Sequence, residues 1–327
     1  PLAGSGQSAD AAGPPPPATR LARLTRKLRE AHQRFGQISA ATEADSYAAQ
    51  WFLDNYYLIR EAIREVAQDL PADFYRQLPR IAAEAERAGA PRARVLAWRL
   101  LEDSGGRLDL GRVTQLLEAY QRRAPLTMGE LWALPSLLRL GLLEWLAESA
   151  ELVTSAEGVR GEHAEHDQRV ADCVAGLRTI KTTDWNKLFE VVSLCERELR
   201  RDAARAYAGM TFETRDRYRK VVERPSRRSG KDELEVAGAA VRLPEKGAAA
   251  PSARQHARHV GFYLVDEGVG LLQRQIGYRR SSGEVIRAWV FAHPTLVYLG
   301  SIGLVALLLL LWGTAYAAPV GASPPML

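Results

Sequence analysis

A run of 23 residues without a charged side chain, 296–318, constrains the fold of this chain more than any other feature. A helix of that length extends roughly 34 Å at about 1.5 Å per residue, which is enough to cross a hydrocarbon core of about 30 Å. Tyr298, Trp312 and Tyr316 lie near its ends, where amphipathic rings favour the headgroup region. The pattern predicts one transmembrane helix over 293–319, and a helix buried in a soluble core is the alternative.

The charges on either side of this run predict its orientation. The nine residues after it, 319–327, carry no charge. The arginines before it are Arg274, Arg279, Arg280 and Arg287. Because the basic flank of a membrane helix remains on the cytoplasmic side, we expect residues 1–290 to lie in the cytoplasm.

A second apolar run, 131–147, needs a different interpretation. It has 17 residues and contains Arg139 and Glu144, and a central arginine alone costs about 2.5–3.5 kcal/mol on membrane-insertion scales. Thr127 and Glu130 have the spacing of a capping box just before it. We therefore predict a buried helix of a soluble domain, kinked near Pro135. A re-entrant or membrane-lying helix is the alternative.

The remaining sequence has helical periodicity and almost no alternating strand pattern, so the predicted fold class is all-α. We expect a cytoplasmic multi-helix domain followed by one transmembrane helix. Because the chain begins with proline and stops soon after the apolar run, we also expect a fragment. The predicted segments are a disordered tail (1–19), a helical subdomain (20–153), a second helical subdomain (154–242), a linker (243–254), a juxtamembrane helix (255–292), the transmembrane helix (293–319) and a truncated tail (320–327).

The first predicted helix is basic and amphipathic. Leu21, Leu24, Leu28 and Phe35 share one face, with arginine and lysine side chains around them. Such a helix either rests on anionic lipid or covers a core with its apolar stripe while its basic face is solvated. The second interpretation is favoured, because solvated charged faces are the common case.

Charge is distributed unevenly along the chain. Lysines and arginines number 44 against 39 acids, and this net charge of +5 is too small for a strong polyanion binder. A basic cluster spans 215–231, with eight basic residues against two acids. A solvated helix face is the simplest interpretation. Attraction to an anionic leaflet ranks second and nucleic acid, which we do not expect as a partner, ranks third. The possible lipid contacts are Arg215, Arg217, Arg219, Lys220, Arg279 and Arg280.

The sequence offers little catalytic chemistry. Two cysteines, Cys173 and Cys195, cannot build a disulfide framework or a four-ligand metal site. His163 and His166 with Asp167 have a spacing that a metal could use, but they lie in a polar stretch and solvation is the simpler interpretation. The chain contains no GxGxxG, GxSxG, HExxH or Asp-x-Asp pattern. We therefore predict no catalytic, cofactor-binding or metal-binding residue.

Five ordered segments carry a resemblance to a known family. They are SYAAQWFLDNYYLIREAIREVAQDLPADFYRQLPRIA (46–82), PLTMGELWALPSLLRLGLLEWL (125–146), TFETRDRYRKVVE (211–223), RHVGFYLVDEG (258–268) and HPTLVYLG (293–300). Together they resemble the N-terminal region of cyclic β-1,2-glucan synthases, the glycosyltransferase family 84 enzymes. The resemblance covers roughly 40–320, and its motifs are specific to the family without being catalytic signatures.

The resemblance implies a role within a larger enzyme of the bacterial inner membrane. In that family a cytoplasmic helical region precedes the first of several membrane helices. A transferase domain that uses UDP-glucose follows, with a divalent metal implied, and a phosphorylase-like domain lies near the C-terminus. This chain would then anchor and support those domains, and its partners would be the lipid bilayer and the domains themselves. A self-standing membrane-tethered helical scaffold is the alternative.

Overall fold

The computed structural model describes residues 17–41, 47–81, 89–154, 160–247, 258–279 and 281–317. Within these ranges the chain is helical and contains no strand, apart from one isolated bridge between Arg80 and Pro91. The all-α prediction is therefore confirmed. The chain divides into two compact units, Pro1–Ile276 and Gly277–Leu327.

The first unit contains fourteen α-helices in its described ranges, together with a short 3-10 helix at Tyr207–Gly209. Those of its first half are α1 (Pro17–Ala41), α2 (Tyr47–Asp54), α3 (Tyr56–Asp69), α4 (Ala72–Gln77), α5 (Arg92–Ser104), α6 (Leu110–Gln121), α7 (Met128–Thr154) and α8 (Arg160–Thr182). Those of its second half are α9 (Trp185–Val192), α10 (Leu194–Leu199), α11 (Phe212–Ser229), α12 (Glu233–Gly247), α13 (Val260–Val265) and α14 (Val269–Ile276).

The helix α7 is the centre of the first half and packs against α1, α3, α5 and α8. Its N-terminus is the predicted capping box, in which the Glu130 carboxylate accepts from the Thr127 N–H at 2.9 Å. The two charges within its apolar run, 131–147, are paired, Arg139 with Glu65 at 2.6 Å and Glu144 with Arg20 at 2.9 Å. The prediction of a buried helix is confirmed, and α7 runs without a break through Pro135.

The basic helix α1 uses its apolar stripe for the core. Leu21, Leu24, Leu28 and Phe35 are all buried, and α1 packs along α7. On its flank Lys27 pairs with Glu151 at 2.6 Å. The structure therefore supports a solvated basic face over a core stripe rather than a helix lying on lipid.

Three predicted boundaries differ from the structure. The predicted second helical subdomain begins at residue 154, but α8, which lies within it, packs on α7 of the first half. The helix α12 extends to Gly247 into the predicted linker, while 248–257 lies outside the described residues. The predicted juxtamembrane helix, 255–292, is divided into α13, α14 and a third helix, Ser282–Ala292, and positions 255–257 and 280 lie outside the described residues. Between α13 and α14 the Gly268 N–H donates to the Phe262 carbonyl at 3.1 Å.

The second unit contains α15 (Ser282–Ala292) and α16 (Pro294–Ala317) in its described part. A capping box of Ser281 and Glu284 begins α15. The predicted disordered tail is outside the described residues up to position 16, whereas 17–19 belong to α1. The predicted C-terminal tail also lies outside the described residues.

The packing of α8 on the turn after α5 leads to a prediction. A methyl group added at Gly176 would overlap the backbone oxygen of Gly106 and lie 3.0 Å from Leu142 Cδ1. Gly176→Ala should therefore lower the free energy of unfolding by ~1–3 kcal/mol, because the backbone cannot easily give way. Urea unfolding of the detergent-solubilised chain, followed by tryptophan fluorescence, measures this loss.

Gly36→Ala in α1 is the matched control for this substitution. An added methyl group there meets no atom within 4 Å, so the helical propensity of alanine should stabilise the chain by ~0.5–1 kcal/mol. Equal unfolding midpoints for Gly176→Ala and the unchanged chain would contradict the close approach of the two backbones.

Candidate functional site

The helix α16 is the first candidate for a functional element. It has 24 residues, and its stretch Pro294–Thr314 is long and apolar enough to cross a membrane by length and composition. Its leucines are exposed, for example Leu307 at 52% and Leu310 at 68%. A helix with an apolar surface on every side needs an apolar environment that the described residues of its own unit do not supply.

The predicted lipid-contact residues fall into three groups. Arg215 and Arg219 are buried, with 8% and 0% of their surface exposed, so these two cannot contact a lipid surface and the prediction is wrong for them. Arg217, Lys220 and Arg279 are exposed, and Lys220 pairs with Asp216 at 2.7 Å. Arg280 lies outside the described residues.

The two buried arginines belong to a charge network centred on Glu196 of α10. This carboxylate is fully buried. It accepts hydrogen bonds from Arg219 Nη1 at 2.6 Å, Tyr207 Oη at 2.7 Å and Arg200 Nε at 2.8 Å. Arg215 Nε lies 3.3 Å from the same carboxylate. The network therefore connects α10, α11 and the 3-10 helix between them.

Aromatic rings complete the surroundings of Arg219. Its guanidinium lies 5.0 Å from the ring centre of Phe189 and 4.8 Å from that of Phe212. Cation–π contacts of this kind compensate in part for the lost hydration of a buried cation. Asp216 adds a second carboxylate, 3.5 Å from Arg219 Nη2.

The electrostatics of the network favour charged carboxylates beside charged guanidiniums. Burial opposes ionisation of Glu196, but the hydrogen bonds from Tyr207, Arg219 and Arg200 outweigh it, so the pKa of Glu196 is lowered. The pKa of Tyr207 is raised by burial and by the neighbouring Glu196 charge. The network is thus a set of permanent charges and donors, and it can stabilise a helix arrangement but does not supply a proton at neutral pH.

A second polar junction lies nearby at Asp202, a buried residue that the sequence analysis did not single out. Its carboxylate accepts from the backbone N–H of Val260 at 2.9 Å and of Ala206 at 3.1 Å. It also lies 2.8 Å from His259 Nδ1. Burial opposes ionisation, yet the hydrogen bonds from His259 and from the Val260 and Tyr207 N–H groups lower the pKa of Asp202. The junction connects the start of α13 to the segment after α10, 57 residues earlier.

The two cysteines are core residues. Cys173 and Cys195 are both buried, and neither forms a disulfide. Burial raises the pKa of the Cys173 thiol to about 12 and raises the pKa of the Cys195 thiol as well. Both thiols are therefore protonated at neutral pH and are poor nucleophiles.

Among the described residues, no group of three or more His, Cys, Asp or Glu side chains is arranged to hold a metal ion. The side chain of His163, weighed earlier as a ligand, lies outside the described part. The Glu196 carboxylate is instead paired with arginines, and the Asp202 carboxylate with His259 and backbone N–H groups, so these two carboxylates do not fit a divalent metal.

Glu233 of α12 is a buried carboxyl whose titration leads to a prediction. Its Oε2 accepts from the Met128 N–H at 2.7 Å. Burial raises the pKa of Glu233 to about 7, although the Met128 hydrogen bond opposes the rise. Between about pH 4.5 and pH 7, Glu233 therefore holds a proton in the folded chain that it has released in the unfolded chain. The contribution of Glu233 to the free energy of unfolding falls as the pH rises through this window. Glu233→Gln should remove that fall and stabilise the chain at pH 8, on the order of 2 kcal/mol.

Urea unfolding at pH 5, 6 and 8 measures this effect as the difference between the variant and the unchanged chain. Glu148→Gln is the control, because Glu148 is exposed and has no hydrogen bond or ion pair among the described residues. If the stability of Glu233→Gln followed that of the unchanged chain in parallel across this pH range, the buried carboxyl would have no part in the pH dependence.

Comparison with known proteins gives a relationship for most of the chain. No protein-family model matches it. The chain is similar to cyclic beta-(1,2)-glucan synthase NdvB of Rhizobium meliloti strain 1021, with 28% identity over 338 residues. This similarity covers 77% of the chain and 12% of the length of that relative. It supports a relationship to cyclic β-glucan synthases, as the resemblance of the ordered segments predicted.

Proposed function

We propose that this chain is the membrane-anchoring and scaffolding region of a cyclic β-1,2-glucan synthase. The observation that carries the proposal is the similarity to NdvB over 77% of the chain, in a protein whose helix α16 has the length and composition of a membrane span. Because the chain corresponds to only 12% of that relative, the polymerisation of glucose from UDP-glucose, the divalent metal and the trimming by a phosphorylase-like domain are assigned to other parts of the synthase.

The two units would have different tasks. The helix α16 would hold the synthase in the bilayer, where burial of its apolar surface in lipid is strongly favourable. The first unit would give the catalytic domains a rigid surface, since its second half is fastened by the Glu196 network and the Asp202 junction. Of the predicted lipid contacts, the exposed Arg217, Lys220 and Arg279 remain proposed contacts to an anionic leaflet.

A hybrid synthase tests this function. The segment of NdvB aligned to this chain is replaced by the chain itself, in a strain without its own synthase. Membranes are then assayed for incorporation of labelled glucose from UDP-glucose into cyclic glucan. We expect glucan from the hybrid and none from the hybrid with Glu196→Ala. A hybrid present in membranes at the normal level but unable to make glucan would favour a self-standing scaffold instead.

The proposed orientation leads to a separate prediction. With the basic flank of α16 on the cytoplasmic side, residues 1–276 should be digested by protease in inside-out vesicles and protected in right-side-out vesicles of the bacterial inner membrane. Immunoblots with antibodies to the first unit measure the digestion. Detergent-permeabilised vesicles are the control, in which digestion occurs in both preparations. Digestion in intact right-side-out vesicles would reverse the orientation.

A further inference from the structure

A groove of about 510 Å³ opens between α5, α7 and α8 in the first unit. Trp98 of α5 and Trp145 of α7 line it, with ring centres 5.7 Å apart and planes nearly perpendicular. Both indoles are only partly buried. The volume lies within the range of small-ligand sites, about 300–1,000 Å³. The function proposed above gives these two tryptophans no role.

Hydrogen-bonding groups surround the two rings. Glu102 accepts from Trp98 Nε1 at 2.7 Å, which fixes the orientation of that indole. Gln168 donates to Asp172 at 3.0 Å. Glu148 is exposed, without a partner among the described residues. Because each carboxylate has about four lone-pair sites, acceptors remain available along the groove.

The charges of the groove restrict its ligand. Four carboxylates line it, those of Glu102, Glu148, Glu165 and Asp172, together with the cation Arg169, whose guanidinium lies 5.7 Å from the ring centre of Trp145. Two of the carboxylates are paired, Glu165 with Arg169 at 3.2 Å and Asp172 with Arg107 at 2.7 Å. The other two, Glu102 and Glu148, have no cation partner among the described residues, and their negative charge disfavours phosphates such as those of a sugar nucleotide or an anionic lipid. It favours a neutral molecule that donates many hydrogen bonds and has apolar faces for the indoles.

We propose that this groove binds a neutral gluco-oligosaccharide. The hydroxyl groups of the sugar donate to the carboxylates of Glu102 and Glu148, and the apolar C–H faces of its rings pack against Trp98 and Trp145. Arg169 supplies donors for ring and hydroxyl oxygens at the same edge. The groove chemistry selects a neutral sugar, whereas the choice of β-1,2-linked glucose rests on the proposed function. The first unit would then hold the glucan as well as support the enzyme.

A titration of the full chain tests the groove. The chain is solubilised in a detergent without a sugar headgroup, because a glycosidic detergent would compete, and is titrated calorimetrically with β-1,2-linked glucose oligosaccharides. We expect saturable binding that is at least tenfold weaker in Trp98→Ala. Trp51→Ala in α2, a partly buried tryptophan that does not line the groove, should bind within twofold of the unchanged chain.

A second variant separates binding from folding. Since Glu148 is exposed and unpaired among the described residues, Glu148→Ala should leave the unfolding midpoint unchanged while weakening sugar binding several-fold. Absence of saturable binding, or equal binding by folded Trp98→Ala, would overturn the proposal. So would binding of a lysine-rich peptide but no sugar, or of β-1,4-linked but no β-1,2-linked chains. Failure of the hybrid synthase alone would overturn the proposed function and leave the groove intact.

Discussion

Glu196→Ala is expected to lower the free energy of unfolding by about 3–5 kcal/mol, the range for breaking a buried ion pair from one side. The substitution removes the carboxylate that accepts from Arg219, Tyr207 and Arg200. Arg219 remains fully buried, and its other carboxylate, Asp216, lies 3.5 Å away. The physical cause of the loss is a buried cation that has lost its nearer carboxylate and keeps only the more distant one.

Urea unfolding of the detergent-solubilised chain, followed by tryptophan fluorescence and far-UV circular dichroism, measures this loss. Arg201→Ala is the matched control. Its side chain is 71% exposed and pairs with Glu198 at 3.0 Å, and a surface pair of this kind contributes about 0–1 kcal/mol. If Glu196→Ala and Arg201→Ala unfolded at the same urea concentration, the network would have no stabilising role.

Replacing both Glu196 and Arg219 tests whether the loss of stability comes from the interaction between these two residues. Arg219→Met alone removes one donor and leaves Glu196 with Tyr207 and Arg200, so its loss should be smaller than that of Glu196→Ala. In the double variant Glu196→Ala with Arg219→Met, the buried carboxylate and the buried guanidinium that pairs with it are removed together. We expect the double variant to be more stable than the sum of the two single losses predicts, because the two residues interact directly. If the loss of the double variant equalled the sum of the two single losses, Glu196 and Arg219 would not be energetically coupled.

Arginine at the centre of α16 should remove the chain from the membrane. Leu307→Arg with Leu310→Arg places two charges near the middle of Pro294–Ala317. At about 2.5–3.5 kcal/mol for each central arginine, the combined penalty is roughly 5–7 kcal/mol. The doubly substituted chain should therefore leave the carbonate-resistant membrane fraction and be recovered as soluble or aggregated protein, detected by immunoblot of both fractions.

Leu307→Ile with Leu310→Ile is the matched control for the membrane test. It keeps the apolar volume, so the chain should stay in the membrane fraction as the unchanged chain does. The interpretation of α16 would be wrong if the unchanged chain were extracted without detergent as a soluble monomer. It would also be wrong if the two arginines left the distribution unaltered.

Features that depend on local pattern could be predicted from the sequence. The uncharged run predicted α16 because length and composition alone decide whether a helix can cross a hydrocarbon core. The Thr127 and Glu130 spacing predicted the start of α7, since a capping box involves residues only three apart. The stripe of Leu21, Leu24 and Leu28 predicted the buried face of α1 for the same reason.

The basic cluster shows where sequence reasoning reached its limit. In the sequence, Arg215 and Arg219 look like their exposed neighbour Arg217. A signal was nevertheless present, because Arg215, Arg219 and Val222 recur at steps of four and three and so share one face of α11, which the structure buries. The partner could not be read in this way, since Glu196 is 23 residues from Arg219 along the chain.

The sequence by itself determined that the protein is helical, that one of its helices has the composition of a membrane span, and that it resembles the cyclic glucan synthases. These three properties depend on residues close together in the sequence or on the order of the residues. Only the tertiary structure decided which charges are buried, how the Asp202 junction connects to α13 and that Trp98 meets Trp145 in a groove. The reason is physical: the cost of burying a charge, and the shape of a binding groove, depend on side chains that folding brings together from distant positions.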